Sequence, residues 1–468
     1  MKMKKKFVKV LSLYLFSSTC FACTTNIDNL VVGITPIVES TPSIITEVKA
    51  TTHFLGWGNV GDTTIRVKAD KEILPALTGK KVDLAPITSN LEGGFRMISV
   101  GGSLSAGFKD GGLYREGQLT SFPNLIARQM EISFYQPLFD ANEGNGSGYK
   151  TLAGTEPIAT FKMVTNNLGY ANSKADKLKP FTGNNIDQYA FPGMNTALGY
   201  TPNDKVSEKF ASRFFNKPQN VNYTDNYDLL KTQSCDFFVF EVGIDDIVAG
   251  ILAGGGGGIT TTDPYAGTLG LSLVHNLVDK KSKGVLLTVP DALDFPYFNQ
   301  ITNDKIEKLG VSLSVQRSFG SENYRDYDPL IDKLMPTTTV EKLFKGEFKG
   351  EVKLKDEDVL SKDPYDDEWL NSSPIYYNEY KISRIGKANN LPVVDIYGLY
   401  KKIVAGTYTT DDGVKVNTDW AKGNFFSADG IYPTAFGQAV IANEVIRTIN
   451  QNYKLSIPLI QTRFFLNK

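Results

Sequence analysis

The stretch RMISVGGSLSAG, residues 96–107, runs as an apolar strand into a glycine pair and then presents Ser103 where a helix begins. A serine lifted out of a strand-to-helix turn is how several hydrolase folds display a nucleophile. Such a hydroxyl is weak at neutral pH, so it needs a base to take its proton and donors to meet the oxyanion that forms. Imidazole suits the first task because it titrates near neutrality. The chain has two histidines, His53 and His275. His53 lies in a Thr-rich N-terminal segment. His275 falls in LSLVHNLVDKK, a helix leading into a strand and far in sequence from any loop that could hold a site. Taken alone, GGSLSAG is also what a tight turn entering a helix requires.

Three other stretches share the character of loops at strand ends: FPGMN (191–195), GIDDIVAG (243–250) and SADGIYPTAFGQ (427–438). With GGSLSAGFKDGGLYREGQLTSFPNLIARQ at 101–129 and FSADGIYPTAFGQAVIANEVI at 426–446, the set resembles the SGNH, or GDSL-type, hydrolases, and within them a Bacteroidetes-type lipoprotein branch. The likeness spans about residues 95 to 465. It implies a flavodoxin-like, three-layer α/β/α domain with Ser103 at the nucleophile position, Gly193 and Asp245 at the oxyanion positions, Asp429 at the triad acid and Tyr432 at the triad base. Three of the family's block residues differ here. Gly102 replaces an aspartate, Asp245 an asparagine and Tyr432 the histidine. A phenol with an ordinary pKa near 10 accepts a proton poorly at neutral pH, and an ionised carboxylate repels an oxyanion where an amide would bind it. The resemblance therefore implies esterase ancestry with a degraded site and a non-catalytic binding or scaffold role. The alternative is an active serine esterase acting on a lipid or carbohydrate ester with rearranged chemistry. Asp246 reads as a structural residue bonding loop amides, and DD after a strand also reads as a helix N-cap.

The elements that must carry these loops are short apolar strands alternating with helices. Near-continuous runs at 95–100, 235–243, 283–291 and 391–398 predict parallel strands covered on both faces. Helices are expected at 121–130, from Ser373 as N-cap with Pro374 at the first turn, and at 434–453, where Phe436, Val440, Ile441, Val445 and Ile449 form one apolar stripe. This alternation predicts an α/β, doubly wound sheet. Five glycines at 254–258 read as a loop. Residues 300–370 read as a charged surface insertion whose alternating stretch forms a small hairpin.

Residues 1–23 have a basic start, a short apolar run and small residues before two cysteines, the pattern of an export signal too short to span a membrane. Lipidation at Cys23 or Cys20 would make the chain an outer-membrane lipoprotein; a plain secretory signal is the alternative. Residues 24–94 read as an extended segment, and THFLGWGNVGDTTIRV within it as a pair of strands. The expected partners are the membrane, through the lipid, and an outer-membrane protein within its reach. Phe108, Tyr114, Tyr432 and Phe436 would suit an acyl or glycan ligand. A net charge of −1 gives no reason to expect nucleic acid. No cofactor is expected and no metal, since two distant histidines and scattered aspartates make no ligand set. Cys235, at the start of an apolar strand, is expected to be a buried thiol.

Overall fold

The computed structural model describes residues 58–89, 94–172, 177–199, 205–215, 223–252, 268–317, 322–361 and 374–466. The signal segment with Cys20 and Cys23, His53, the pentaglycine and Ser373 lie outside these residues. Five strands form the central sheet: β1 (Met97–Gly101), β2 (Gln188–Ala190), β3 (Phe237–Glu241), β4 (Lys283–Leu287) and β5 (Val393–Val394). They are all parallel and ordered β5-β4-β3-β1-β2. This is the flavodoxin-like doubly wound order, in which the chain reverses direction across the sheet between β1 and β3 and ligands meet the carboxyl ends at that reversal. The α/β class expected from the alternation is the one observed.

All five residues of β1 and of β3 are buried, as a run of Val, Ile and Phe covered on both faces requires. Their register pairs Met97 with Phe237 and ends with Gly101 opposite Glu241. The two loops that follow therefore leave the sheet side by side. At the other end, the buried Asp236 carboxylate accepts the Arg96 amide at 2.8 Å and both the amide and hydroxyl of Ser89, at 2.7 and 2.9 Å. The Arg96 guanidinium reaches Asp187 at 2.8 Å. These contacts hold the starts of β1, β2 and β3 level. Cys235 is a buried free thiol.

The helix Ala435–Tyr453 buries its whole stripe, Phe436, Val440, Ile441, Val445 and Ile449, and packs on the helix Phe122–Gln129. Thr434 caps it, accepting from the Gly437 amide at 3.1 Å. One residue of this helix does more than pack. The Gln438 amide group donates to the Leu104 carbonyl at 3.1 Å and accepts from the Phe122 amide at 2.9 Å, so it fixes the turn that carries Ser103.

Several expectations are revised. The strand expected over 391–398 stops after Val394, because the Asp395 side chain accepts the Gly398 amide at 2.8 Å and starts the helix Ile396–Val404. Residues 52–57 of the expected strand pair lie outside the described residues; within the rest, residues 59–63 form a strand that joins Thr160–Val164, which in turn pairs with Lys150–Gly154. The insertion is more than a hairpin. Glu351–Leu354 pairs in parallel with Ser312–Gln316, Tyr324–Asp326 completes that sheet, and Asp332–Leu334 pairs with Val359–Ser361. The strand at 351–354 alternates, with Val352 and Leu354 buried, but periodicity does not choose a partner. A separate apolar cluster including Val315, Leu334, Val340 and Leu354 fills this region.

The cap that shortens β5 gives a direct test. Asp395→Ala is expected to lower unfolding free energy in urea by about 1 kcal/mol, and Asp395→Asn by less than half of that, since asparagine caps nearly as well.

Candidate functional site

Ser103 opens a one-turn helix, Ser103–Ala106, that ends at Gly107 with φ +76°. Asp245 lies in the first turn of the helix Ile244–Leu252 that follows β3. Level strand ends bring the two together. One oxygen of Asp245, Oδ2, accepts the Ser103 amide at 2.8 Å, the Ser103 hydroxyl at 3.0 Å and the Gly193 amide at 2.9 Å. The other, Oδ1, accepts the Tyr432 hydroxyl at 2.6 Å. Four of the positions singled out in the sequence, Ser103, Gly193, Asp245 and Tyr432, thus converge on one carboxylate. Their side chains are closed to solvent: Ser103 is 3% exposed, Asp245 7% and Tyr432 2%.

Gly102 belongs to the same arrangement. A Cβ there would stand 2.5 Å from Asp245 Oδ2, closer than packing permits. The glycine at 102 and the aspartate at 245 therefore occupy one space between them, and a side chain at 102 would displace the carboxylate. Asp246 turns the other way and accepts the Thr196 amide at 2.9 Å and its hydroxyl at 3.2 Å. It pins the loop that carries Gly193.

Asp429 does not meet the Tyr432 hydroxyl. Its Oδ1 accepts the amides of Ile431 and Tyr432, each at 2.8 Å, and its Oδ2 accepts the Gly111 amide at 3.0 Å. Next to Gly111, Asp110 accepts the Ala428 amide at 2.8 Å and the Tyr114 hydroxyl at 2.5 Å, while its own amide donates to Ser427 Oγ at 2.8 Å. Asp429 and Asp110 together latch the loop after Ser103 to the loop that presents Tyr432. Burial, reinforced by the Asp110 charge, pushes the Asp429 carboxyl up to about 6. His275 is exposed on the helix Thr268–Asp279 and pairs through Nδ1 with Asn389 Oδ1 at 3.1 Å. Asn389 precedes β5, so that pair lies at the amino end of the sheet, opposite Ser103.

Glu241, the last residue of β3, is the site residue that the motifs did not mark. Its Oε2 accepts the Ser105 hydroxyl at 2.8 Å and the Ser105 amide at 3.2 Å, whereas its Oε1 is buried without a partner. Burial and the nearby Asp245 push its carboxyl up to about 8. An ionised Glu241 would leave Oε1 unsolvated, so at neutral pH the proton resides here. The one sequence signal for it was an acidic residue closing an otherwise apolar strand at the carboxyl end of the sheet. Burial also raises the Asp245 carboxyl, against hydrogen bonds from Tyr432, Ser103 and Gly193 that favour its charge. The Tyr432 phenol is held well above its ordinary pKa by burial and by the Asp245 charge, so it is a donor and not a base.

The shared space at 102 and 245 predicts coupling. Gly102→Ala is expected to cost about 1–3 kcal/mol in urea denaturation through the clash. In an Asp245→Ala background most of that cost should vanish, giving a coupling energy well above the roughly 0.3–0.5 kcal/mol of independent sites. Glu241 predicts a pH dependence. Its carboxyl binds a proton more tightly folded, at about 8, than at its ordinary 4.5, so stability falls as pH rises from 4.5 through 8 and the loss is complete above that. Glu241→Gln should match wild type near pH ~5 and exceed it by about 2 kcal/mol or more near pH ~9.

No protein-family model matches the chain, and no curated protein matches it. Among solved structures, that of the lipase/acylhydrolase from Enterococcus faecalis aligns over 78% of this chain and 100% of its own, with 13% sequence identity and a TM-score of 0.30.

Proposed function

We propose that this chain is an SGNH-type hydrolase-like protein whose ester-cleaving centre has become a fixed hydrogen-bonded hub. It works as a non-catalytic binding or scaffold subunit at the cell envelope, exported by its N-terminal signal and held at the outer membrane by lipid on Cys23 or Cys20. The observation that carries the reading is the position of Asp245 Oδ2. It takes the two backbone donors, Ser103 N and Gly193 N, that would have to bind a substrate oxyanion, and it accepts the Ser103 hydroxyl's hydrogen bond as well. A carbonyl oxygen cannot enter where a carboxylate oxygen already sits. Losing a single oxyanion donor costs a serine hydrolase about 2.7–4 kcal/mol; here the backbone pair is occupied and the imidazole base is gone.

One observation favours a second reading, an acyl-ester hydrolase with rearranged chemistry. Asp245 Oδ2 lies 3.0 Å from Ser103 Oγ, within reach of the proton that a base would take, and burial raises its carboxyl. Fluorophosphonate labelling separates the two, because it reports an activated serine without knowledge of substrate. The expected result is no labelling of wild type. Labelling that disappears in Ser103→Ala would overturn the non-catalytic reading. The Asp245→Asn, Tyr432→His double variant, which replaces the carboxylate at the oxyanion position by an uncharged amide able to donate and supplies an imidazole, is expected to gain labelling over either single variant.

A further inference from the structure

A cavity of about 360 Å3 is lined by Lys109 and Asp110, from the loop after the Ser103 helix, but not by Ser103, Gly193, Asp245 or Tyr432. Its size is within the range of small-molecule sites, about 300–1,000 Å3. One wall comes from the N-terminal segment, through residues 65–68 and Ile73. Others come from Tyr114, Tyr149 and Phe436. The segment that precedes the sheet therefore helps build a binding-sized space within the domain.

The chemistry of the walls narrows the ligand. Every cation along the lining already has a carboxylate. Glu116 holds Lys68 and Lys109, each at 3.1 Å, Asp70 holds Arg115 at 2.8 Å, and Glu72 holds Arg66 at 2.9 Å. No cation is left to draw an anion. An acyl chain would strip water from these ion pairs without replacing it. The aromatic part of the wall is preorganised, since Tyr114 and Tyr149 stack with centroids 4.0 Å apart and planes 16° apart. The Tyr114 hydroxyl is committed to Asp110, whereas the Tyr149 hydroxyl makes no hydrogen bond among the described residues. Lys109, 6% exposed, uses one of its three N–H donors on Glu116, and its ammonium lies 5.2 Å from the Tyr114 ring centroid. Free donors, a free phenol and aromatic carbon beside them suit a molecule with hydroxyls on its edge and C–H groups on its face. We propose that this cavity binds a neutral saccharide.

The assignment stands whether or not Ser103 is reactive. The test is titration calorimetry of the full chain with methyl glucoside, N-acetylglucosamine, maltose and cellobiose, with glucuronate and decanoate as charged and apolar comparisons. At least one neutral sugar is expected to bind with a dissociation constant of about 1 mM or tighter. Tyr149→Ala should weaken it about tenfold or more, and Tyr149→Phe, which keeps the stack and removes only the hydroxyl, about threefold at an unchanged melting temperature. Ser103→Ala should bind as wild type does. Absence of neutral-sugar binding at about 10 mM, binding of glucuronate or decanoate alone, or sugar binding indifferent to both Tyr149 changes would each overturn the proposal. A Ser103 that labels while sugar still binds would remove the non-catalytic reading and leave this one intact.

Discussion

A carboxylate held out of water must be met by donors, and the region around Ser103 is organised by meeting those of Asp245. Burying an unpaired charge costs several kcal/mol. Here the cost is offset by two backbone amides and two hydroxyls drawn from two separate loops and from the helix that Ser103 opens. Each donor needs its own support. Gln438 sets the Ser103 turn, Asp246 sets the loop of Gly193, and Asp429 with Asp110 sets the loop of Tyr432. Removing any support would loosen one donor and leave charge exposed to an apolar interior.

The sheet makes this convergence possible. Because β1 and β3 are adjacent, parallel and in register to their last residues, the chain leaves both at the same height, and the first turns of the two following helices face each other. That is where a doubly wound fold offers a ligand site. In this chain the place is filled from within. A reactive site keeps some polar groups unsatisfied or strained until substrate arrives. Around Asp245 each oxygen has its donors, whereas Oε1 of Glu241, at the end of the strand that leads to Asp245, is buried without a partner.

Much of the fold could be read from the sequence because its signals are local. Runs such as FFVF read as covered strands, and the stripe from Phe436 to Ile449 as a buried helical face. The failures were failures of range. Asp395 ends β5 through a side-chain bond that an apolar run does not announce. The strand at 351–354 was visible in its alternation, while its parallel partner at 312–316 was not. The site followed the same division. Ser103, Gly193, Asp245, Asp429 and Tyr432 were all marked by likeness to known motifs. Their relation was not, since Asp245 and Tyr432 lie 187 residues apart and meet only through the sheet.

Glycine at 102, aspartate at 245 and tyrosine at 432 are far apart in the sequence. In space they form one arrangement. The glycine vacates the volume that the Asp245 carboxylate enters, as the 2.5 Å approach to a Cβ at 102 requires. The carboxylate then needs a donor on its outer oxygen, which a neutral phenol supplies at 2.6 Å. An imidazole would supply the same hydrogen bond only from a ring nitrogen carrying its proton. Tyrosine, its pKa held well above the ordinary phenol value by burial and by the charge it faces, keeps that donor at neutral pH. A buried carboxylate met by four donors, one of them a phenol that stays protonated, ties the turn of Ser103 to the loops of Gly193 and Tyr432.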